Sequence, residues 1–201
     1  MVRLILTELK VHSPFTILGA MSGIVIMLLY ATFNIPAKLS YNIFYTLHPI
    51  HVLLSALVTA SMYELHSNRK STIWLLILIG YSGAVGVATL SDCIIPYLGE
   101  MLLDLPNSGM HLGFIEEWWL VNPLAFLGIA IAYYNPATKF PHAGHVLLST
   151  WASLFHIIMA AGETLDWFSY VVIFVFLFIS VWIPCCISDI VFPLLFVKDK
   201  P

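Results

Sequence analysis

Charged residues are scarce in this chain. Only 9% of its 201 residues are Asp, Glu, Lys or Arg, whereas 60% are hydrophobic, and the mean hydropathy is +0.94. Soluble domains carry about 25% charged residues, so this composition excludes an ordinary water-exposed surface. The absence of a basic run argues against nucleic acid as a partner. We therefore expect the lipid bilayer to be the main surroundings of the chain.

Cysteine is also scarce. The three cysteines, Cys93, Cys185 and Cys186, are too few for a disulfide framework. Cys185 and Cys186 are adjacent in an apolar segment, where they are predicted to be small packing residues.

Long apolar runs are what the chain has instead of charge. A helix needs about 20 apolar residues to cross about 30 Å of hydrocarbon. Six runs of that kind predict an all-α polytopic membrane protein with six transmembrane helices. The first run is not followed by a signal-peptidase pattern, so we expect it to be retained. The predicted spans are 14–33, 43–65, 72–95, 117–134, 143–161 and 168–190.

The positive charges are distributed unevenly between the two sides of this arrangement. With six spans both termini lie on one side, and that side receives seven of the eight cationic residues: Arg3, Lys10, Arg69, Lys70, Lys139, Lys198 and Lys200. Only Lys38 falls on the other side. The positive-inside rule therefore predicts cytoplasmic N- and C-termini, and we expect the cytoplasmic membrane of a prokaryote as the location.

The two halves of the sequence resemble each other in three blocks that occur in the same order. The blocks are P-x-x-x-L-G at 14–19 and 123–128, H-x-x-H-V-L-L-S at 48–55 and 142–149, and S-D-x-x-x-P at 91–96 and 188–193. Such order indicates duplication. The alternative, that Leu, Val and Ser are simply common in membrane helices, does not explain the repeated His and Asp.

Each half holds three spans, so the second half must enter the membrane from the opposite face. The sequence therefore predicts a 3+3 inverted-topology repeat, as in many transporters. Residues 1–106 form the first three-helix repeat and residues 107–201 the second, within a single membrane domain. Equivalent polar residues then form two sites, one per leaflet, or two half-sites that meet near the midplane.

The repeated His and Asp residues are the candidate metal ligands. Ionisable groups within hydrocarbon cost about 2.5–3.5 kcal/mol each, and His residues three apart share a helix face. Two imidazoles and a carboxylate form a common ligand set for zinc, copper or iron. The six candidates are His48, His51 and Asp92 in one half, and His142, His145 and Asp189 in the other.

Simpler structural roles remain as alternatives for these groups. Each Asp, with the Ser before it, can cap a short helix that follows. Histidines at helix starts can lie at the headgroup level and bind carbonyl groups. Ser55 and Ser149, four residues after the second His of each pair, are predicted to pack or to bond within their own helices.

A further polar group is predicted on the outer side, and it has no counterpart in the other half. Its members are possible additional metal ligands: His111, Glu116, Glu117 and His156. The alternative is a solvated acidic loop.

The paired histidines His48/His51 and His142/His145, each followed by a Leu-rich run, resemble the copper-linked CtaG family of cytochrome oxidase assembly factors. The resemblance implies copper binding at these four histidines. The family spaces its histidines by four, whereas this chain spaces them by three.

A second resemblance covers residues 107–121. The pattern His111-x-x-Phe-Ile-Glu-Glu is similar to the C subunit of archaeal ammonia monooxygenases. That subunit has a further metal-binding His about thirteen positions later, where this chain has Leu124. This departure argues against a catalytic copper site of that kind, though not against a place in such a complex.

Together these features predict a protein that handles copper or zinc, by transport across the membrane or delivery to a membrane oxidase. The alternative is a non-catalytic structural subunit of a larger membrane complex, such as a copper monooxygenase or a respiratory complex. A third class is an intramembrane zinc hydrolase. The sequence favours a non-enzymatic role, with other membrane subunits or further copies of the chain as partners.

Overall fold

A computed structural model describes residues 2–33, 35–67, 72–161 and 165–197. Within these ranges the side chains of 2–9, 11, 12, 37, 139–142 and 186 are not described. The described residues form helices and no strands. The α-helices are α1 Val2–Thr32, α2 Ala37–His66, α3 Ile73–Thr89, α4 Ile95–Leu102, α5 Gly113–Glu116, α6 Trp118–Tyr134, α7 Lys139–Ala160, α8 Trp167–Cys186 and α9 Phe192–Leu194. Two π-helices, π1 Leu90–Ile94 and π2 Ile187–Val191, join α3 to α4 and α8 to α9.

Five helical segments among the described residues are long and apolar enough to cross a membrane. They are Ser13–Thr32, Lys38–His66, Ile73–Leu102, Ala143–Ala160 and Trp167–Leu194. An integral membrane protein is therefore confirmed at this level. The remaining apolar helix, Trp118–Tyr134, has 17 residues, so the sixth span stays a prediction. Several helices are longer than predicted, and α1 continues through Pro14 towards its N-terminus.

The chain changes to π geometry at a Ser-Asp pair after α3 and again after α8. Ser91 and Asp92 lie in π1, and Ser188 and Asp189 lie in π2. The proline four residues after each Asp has no N–H for the Asp carbonyl, so the α-helical hydrogen-bond pattern cannot continue. A π-turn is one way for a helix to absorb such a break, and π-turns are frequent at functional sites.

Hydroxyl groups of neighbouring helices bind the backbone at these breaks. Ser153 of α7 donates to the carbonyl of Ser91 at 2.9 Å. Thr59 of α2 lies 3.5 Å from the carbonyl of Ser188 and 3.2 Å from its hydroxyl. In hydrocarbon, where water is absent, such side chains satisfy backbone groups that a broken helix leaves exposed.

Helices α2 and α7 form the centre of the bundle. They pack against each other, α1 packs against α7 and α8, and α6 packs against α2 and α3. Two apolar clusters fill the interior on either side of this central pair, one centred on residues of α1, α7 and α8 and one on residues of α2, α3 and α6. Large apolar side chains such as Leu18, Leu78 and Phe168 are exposed, as expected for a surface that faces lipid.

Glycines allow the closest helix crossings. A Cβ atom placed on Gly128 of α6 would overlap the backbone oxygen of Leu53 and lie 3.0 Å from Cβ of Ala56. On Gly19 of α1 it would lie 3.1 Å from Cβ of Thr150. Small residues of this kind are enriched where membrane helices approach closely.

Candidate functional site

The carboxylate of Asp92 is the centre of a buried hydrogen-bond network. Its Oδ2 accepts from Nδ1 of His48 at 2.9 Å and from Nδ1 of His51 at 2.6 Å. Its Oδ1 accepts from the hydroxyls of Ser91 and Ser149, both at 2.7 Å. Four donors suit an ionised carboxylate, which only accepts. All five residues are almost completely buried, so this network compensates the charge inside the bundle.

The contact with Asp92 determines which ring nitrogen of His51 has a lone pair free to bind a metal ion. Because Nδ1 donates to the carboxylate, the neutral ring carries its lone pair on Nε2. Nε2 of His51 is buried and has no hydrogen-bond partner among the described residues. Metal-binding histidines typically donate their other N–H to a carboxylate in this way.

A further His–Asp contact lies beside the Asp92 network. Nε2 of His145 on α7 is 2.8 Å from Oδ2 of Asp189 in π2, and both residues are fully buried. The rings of His51 and His145 are 5.5 Å apart between centroids. The histidines of α2 and α7 therefore approach each other at the centre of the bundle.

Cys185 of α8 completes a group of three potential ligands. One ring nitrogen of His51, one ring nitrogen of His145 and Sγ of Cys185 lie within 4.8 Å of one another. Sγ is also 3.9 Å from the hydroxyl of Ser149, which ties this group to the Asp92 network. A tetrahedral ion with bonds of about 2.0–2.3 Å holds its donors about 3.3–3.7 Å apart. Small side-chain movements would bring the three atoms to that spacing.

The predicted set of His48, His51 and Asp92 also lies within 4.8 Å, but its geometry is that of hydrogen bonds. Its N–O distances of 2.6 and 2.9 Å are shorter than the separation of about 3.4 Å between donors of a tetrahedral ion. An orienting role for Asp92 therefore fits better than direct ligation.

The structure also bears on the simpler readings of these residues. The capping alternative is wrong, because the residues that precede α4 and α9 are Ile94 and Val191, and neither helix start has a side-chain cap. The helix-start alternative is wrong for His48 and His51, since α2 begins at Ala37. The side chain of His142 lies outside the described residues.

The outer polar residues form a separate group, which we call the outer cluster. It consists of Tyr45, Glu100, His111, Glu116 and His156. Nδ1 of His156 is 2.5 Å from Oε1 of Glu100, and both residues are fully buried. Nδ1 of His111 is 3.4 Å from Oε2 of Glu116, which also accepts from the hydroxyl of Tyr45. The predicted member Glu117 directly precedes α6 and has no described contact with this cluster.

Sequence reasoning missed several of these roles. Ser149 binds Asp92 rather than its own helix alone, Cys185 lies beside two histidines, and buried Glu100 pairs with His156. The repeat contained a signal for Ser149, since a Ser closes both copies of the His motif. Neither Cys185 nor Glu100 belongs to a repeated block, so only the packing of helices reveals their contacts.

No family model, no curated protein and no solved structure matches the chain. The chemistry of the site therefore rests on its own geometry.

Proposed function

We propose that this protein binds a copper or zinc ion between α2, α7 and α8, and passes it across the membrane or to a membrane oxidase. The ligands are His51, His145 and Cys185. The observation that carries the proposal is the proximity of these three donors, from three helices, at fully buried or nearly fully buried positions. Thiolate and imidazole are donors for which copper(I) and zinc have high affinity.

The carboxylates have the role of orienting the ligands. Asp92 accepts a hydrogen bond from Nδ1 of His51, and the carboxylate of Asp189 lies 2.8 Å from Nε2 of His145. Such partners fix the ring and raise the basicity of the ligating nitrogen. They also place negative charge beside a cation inside the membrane, where an uncompensated charge is costly.

A sixth membrane span is part of the proposal. Just before α6, Glu116 accepts from Tyr45 of α2, and just after α6 the amide of Ala137 donates to Ser61 of α2 at 3.0 Å. Helix α2 rises about 24 Å between Tyr45 and Ser61. Because α6 accompanies α2 over that distance, it is favoured as a span despite its 17 residues.

Reciprocal contacts support the inverted repeat. The repeated blocks make Gly19 equivalent to Gly128 and Thr150 equivalent to Ala56. Gly19 approaches Thr150, and Gly128 approaches Ala56. Likewise Ser153 donates to the carbonyl of Ser91, and the equivalent residue of the first half, Thr59, approaches that of Ser188. With the asymmetry of cationic residues, this arrangement favours cytoplasmic termini and access to the site from both faces.

Metal titration of the full chain tests the proposal. The protein is purified in detergent without a polyhistidine tag, under reducing conditions, and titrated with zinc or copper(I) against a chelator. We expect about one ion per chain, with X-ray absorption reporting sulfur at about 2.3 Å and nitrogen at about 2.0 Å. His51→Ala and Cys185→Ser should abolish this binding. Asp92→Asn should weaken it about 10- to 100-fold, because it orients a ligand.

His66→Ala is the matched control, since His66 also lies on α2 but is exposed at its C-terminal end. Binding by the control should equal that of the wild type. The proposal fails if the folded wild-type protein retains neither metal, or if His51→Ala and Cys185→Ser bind as tightly as the control.

A structural subunit is the second candidate, and one observation favours it. Both oxygens of Asp92 are already satisfied by hydrogen bonds from three helical elements, as in a network whose role is to hold helices together. For that candidate we expect no stoichiometric metal, and co-migration of the native protein with a large assembly in blue-native electrophoresis.

A further inference from the structure

Residues 103–112 connect α4 to α5 and are held to the bundle mainly by side chains of other elements. The amide of Gly109 donates to Oε2 of Glu100 at 3.2 Å. The amide of His111 donates to Nε2 of His156 at 3.4 Å, and that of Leu112 to Oε1 of Glu116 at 3.1 Å. Three helices, α4, α7 and α5, therefore supply acceptors for three backbone donors of this connection.

Two of these acceptors, Glu100 and His156, are bonded to each other. Because Nδ1 of His156 is 2.5 Å from Glu100, the ring presents Nε2 to the connection as an acceptor. Both side chains are fully buried. Among residues 103–112 only Leu105 is a fully buried apolar side chain, and Leu103 and Leu112 pack against the same cluster while partly exposed. A segment with few fully buried apolar side chains opens locally at lower cost than the helices around it.

The connection ends next to His48, a member of the Asp92 network. Gly113, the next residue, packs so closely on the ring of His48 that a Cβ atom there would overlap it. His48 in turn binds Asp92. Cys93, which follows Asp92 in the chain, lies in the same apolar cluster as Leu105 of the connection. At this end of the bundle, residues 103–113 thus cover the route to the Asp92 network.

Phe44 of α2 lies between the outer cluster and the Asp92 network. Its ring stacks on His48 at 5.4 Å and meets the ring of His156 edge-on at 5.3 Å. The outer cluster and the Asp92 network are therefore separated by one aromatic ring. The described donors and acceptors of Glu100, Glu116 and the His156 ring are all used in contacts within the cluster or with the connection, so the cluster is built to hold the connection rather than a second ion.

We propose that residues 103–112 form a lid over the Asp92 network, closed by Glu100, His156 and Glu116. Asp104, the second residue of the lid, has a left-handed backbone, φ 50°. A role of the lid in admitting a metal ion rests on the function proposed above. The opening of the lid is independent of that function, because the contacts that close the lid contain none of the three proposed ligands.

Thiol labelling tests the lid without any metal. Cys185→Ala and Cys186→Ala leave Cys93 as the single thiol, fully buried in the apolar cluster that contains Leu105 of the lid. In this background Glu100→Ala removes the acceptor for Gly109 and the partner of His156. We expect Cys93 of the protein in nanodiscs to react with a small water-soluble methanethiosulfonate at least about fivefold faster, as the loss of one hydrogen bond implies. His156→Gln, which keeps an acceptor, should have a smaller effect.

Hydrogen exchange provides the second measurement. The amides of 107–113 should exchange faster in Glu100→Ala, while those of α6 remain as protected as in the wild type. His66→Ala is the control for both measurements and should change neither. The lid is overturned if labelling and exchange are unchanged in Glu100→Ala, or if protection falls equally throughout α6. Should no variant bind metal while labelling still accelerates, the lid stands and the function proposed above falls.

Discussion

The contacts that His51 and His145 make with their aspartates are built differently. His51 meets Asp92 through Nδ1, whereas His145 meets Asp189 through Nε2. Cys185 lies four residues before Asp189, and the same position before Asp92 is Ala88, which is also buried. The comparison teaches that two copies of one sequence motif can have different surroundings, because only one copy has a thiol at this position.

The first prediction removes and then relocates that thiol. Cys185→Ala should weaken metal binding by more than about a hundredfold, since loss of a mere orienting partner already costs about 10- to 100-fold. Adding Ala88→Cys should restore a large part of the affinity if the halves are related by an inverted repeat. Cys185 packs with Val146, and Ala88 packs with the equivalent residue Val52. Competition with a chromophoric chelator measures both changes.

Ala132→Cys in the same Cys185→Ala background is the control, because Ala132 is equally buried but lies on α6. It should leave binding weak. If the Ala88→Cys variant binds no better than this control, the symmetry of the two halves does not extend to the site.

The second prediction compares the glycines at the two helix crossings. Gly128→Ala should lower the free energy of unfolding by about 3 kcal/mol, and Gly19→Ala by about 1 kcal/mol, within the range for overpacked sites. The reason is that Gly128 faces the backbone of Leu53, whereas Gly19 faces only the side chain of Thr150. Reversible unfolding in mixed micelles with SDS measures the difference.

Gly86→Ala serves as the control, because no atom lies within 4 Å of a Cβ atom placed there. It should be neutral or slightly stabilising, since Ala has the higher helix propensity. Equal losses for Gly19→Ala and Gly128→Ala would mean that the two crossings are equally tight.

The third prediction compares two serines at equivalent places in the repeated His motif. Ser149 donates to Asp92 at 2.7 Å, and Ser149→Ala should destabilise the protein by about 1.5 kcal/mol, as expected for a hydrogen bond to a charged group. The buried hydroxyl of Ser55 has no partner among the described residues. Ser55→Ala should therefore be neutral or stabilising, and a loss as large as that of Ser149→Ala contradicts this assignment.

The smallest expected effect concerns the starts of α8 and α3. The carboxylate of Asp166 accepts from the amide of Ser169 at 2.9 Å at the start of α8, whereas Thr72 makes no such bond at the start of α3. The hydroxyl and amide of Ser169, in that order, hold the pKa of Asp166 below its usual value. A lowered pKa stabilises the fold above the unfolded value of about 3.9, and this contribution is lost as the pH falls through the folded pKa.

Asp166→Ala should therefore lower the unfolding temperature slightly at about pH 7, and the difference from the wild type should shrink towards about pH 3. Thr72→Ala should change little at either pH. A difference for Asp166→Ala that is constant over this range would exclude the charge of Asp166 as its cause.

Much of the arrangement was predictable from local features of the sequence. The apolar runs located the spanning helices, because hydrocarbon tolerates few charges, and the Ser-Asp-x-x-x-Pro blocks marked both π-helices. That His51 and Asp92 lie in one buried network was predictable from the repeated His block and the repeated Ser-Asp block taken together. Cys185 and Glu100 were not predictable, since each gains its partner from another helix at a distance along the chain that no spacing rule specifies.

By itself, the sequence determined that the chain lies in a membrane and that His and Asp recur in two halves, because composition and repetition are local properties. Only the tertiary structure decided that Asp92 orients His51, that His145 and Cys185 join it, and that a connection covers His48. These contacts depend on how tightly α2, α7 and α8 approach one another, and that approach is a property of packed surfaces rather than of residue order.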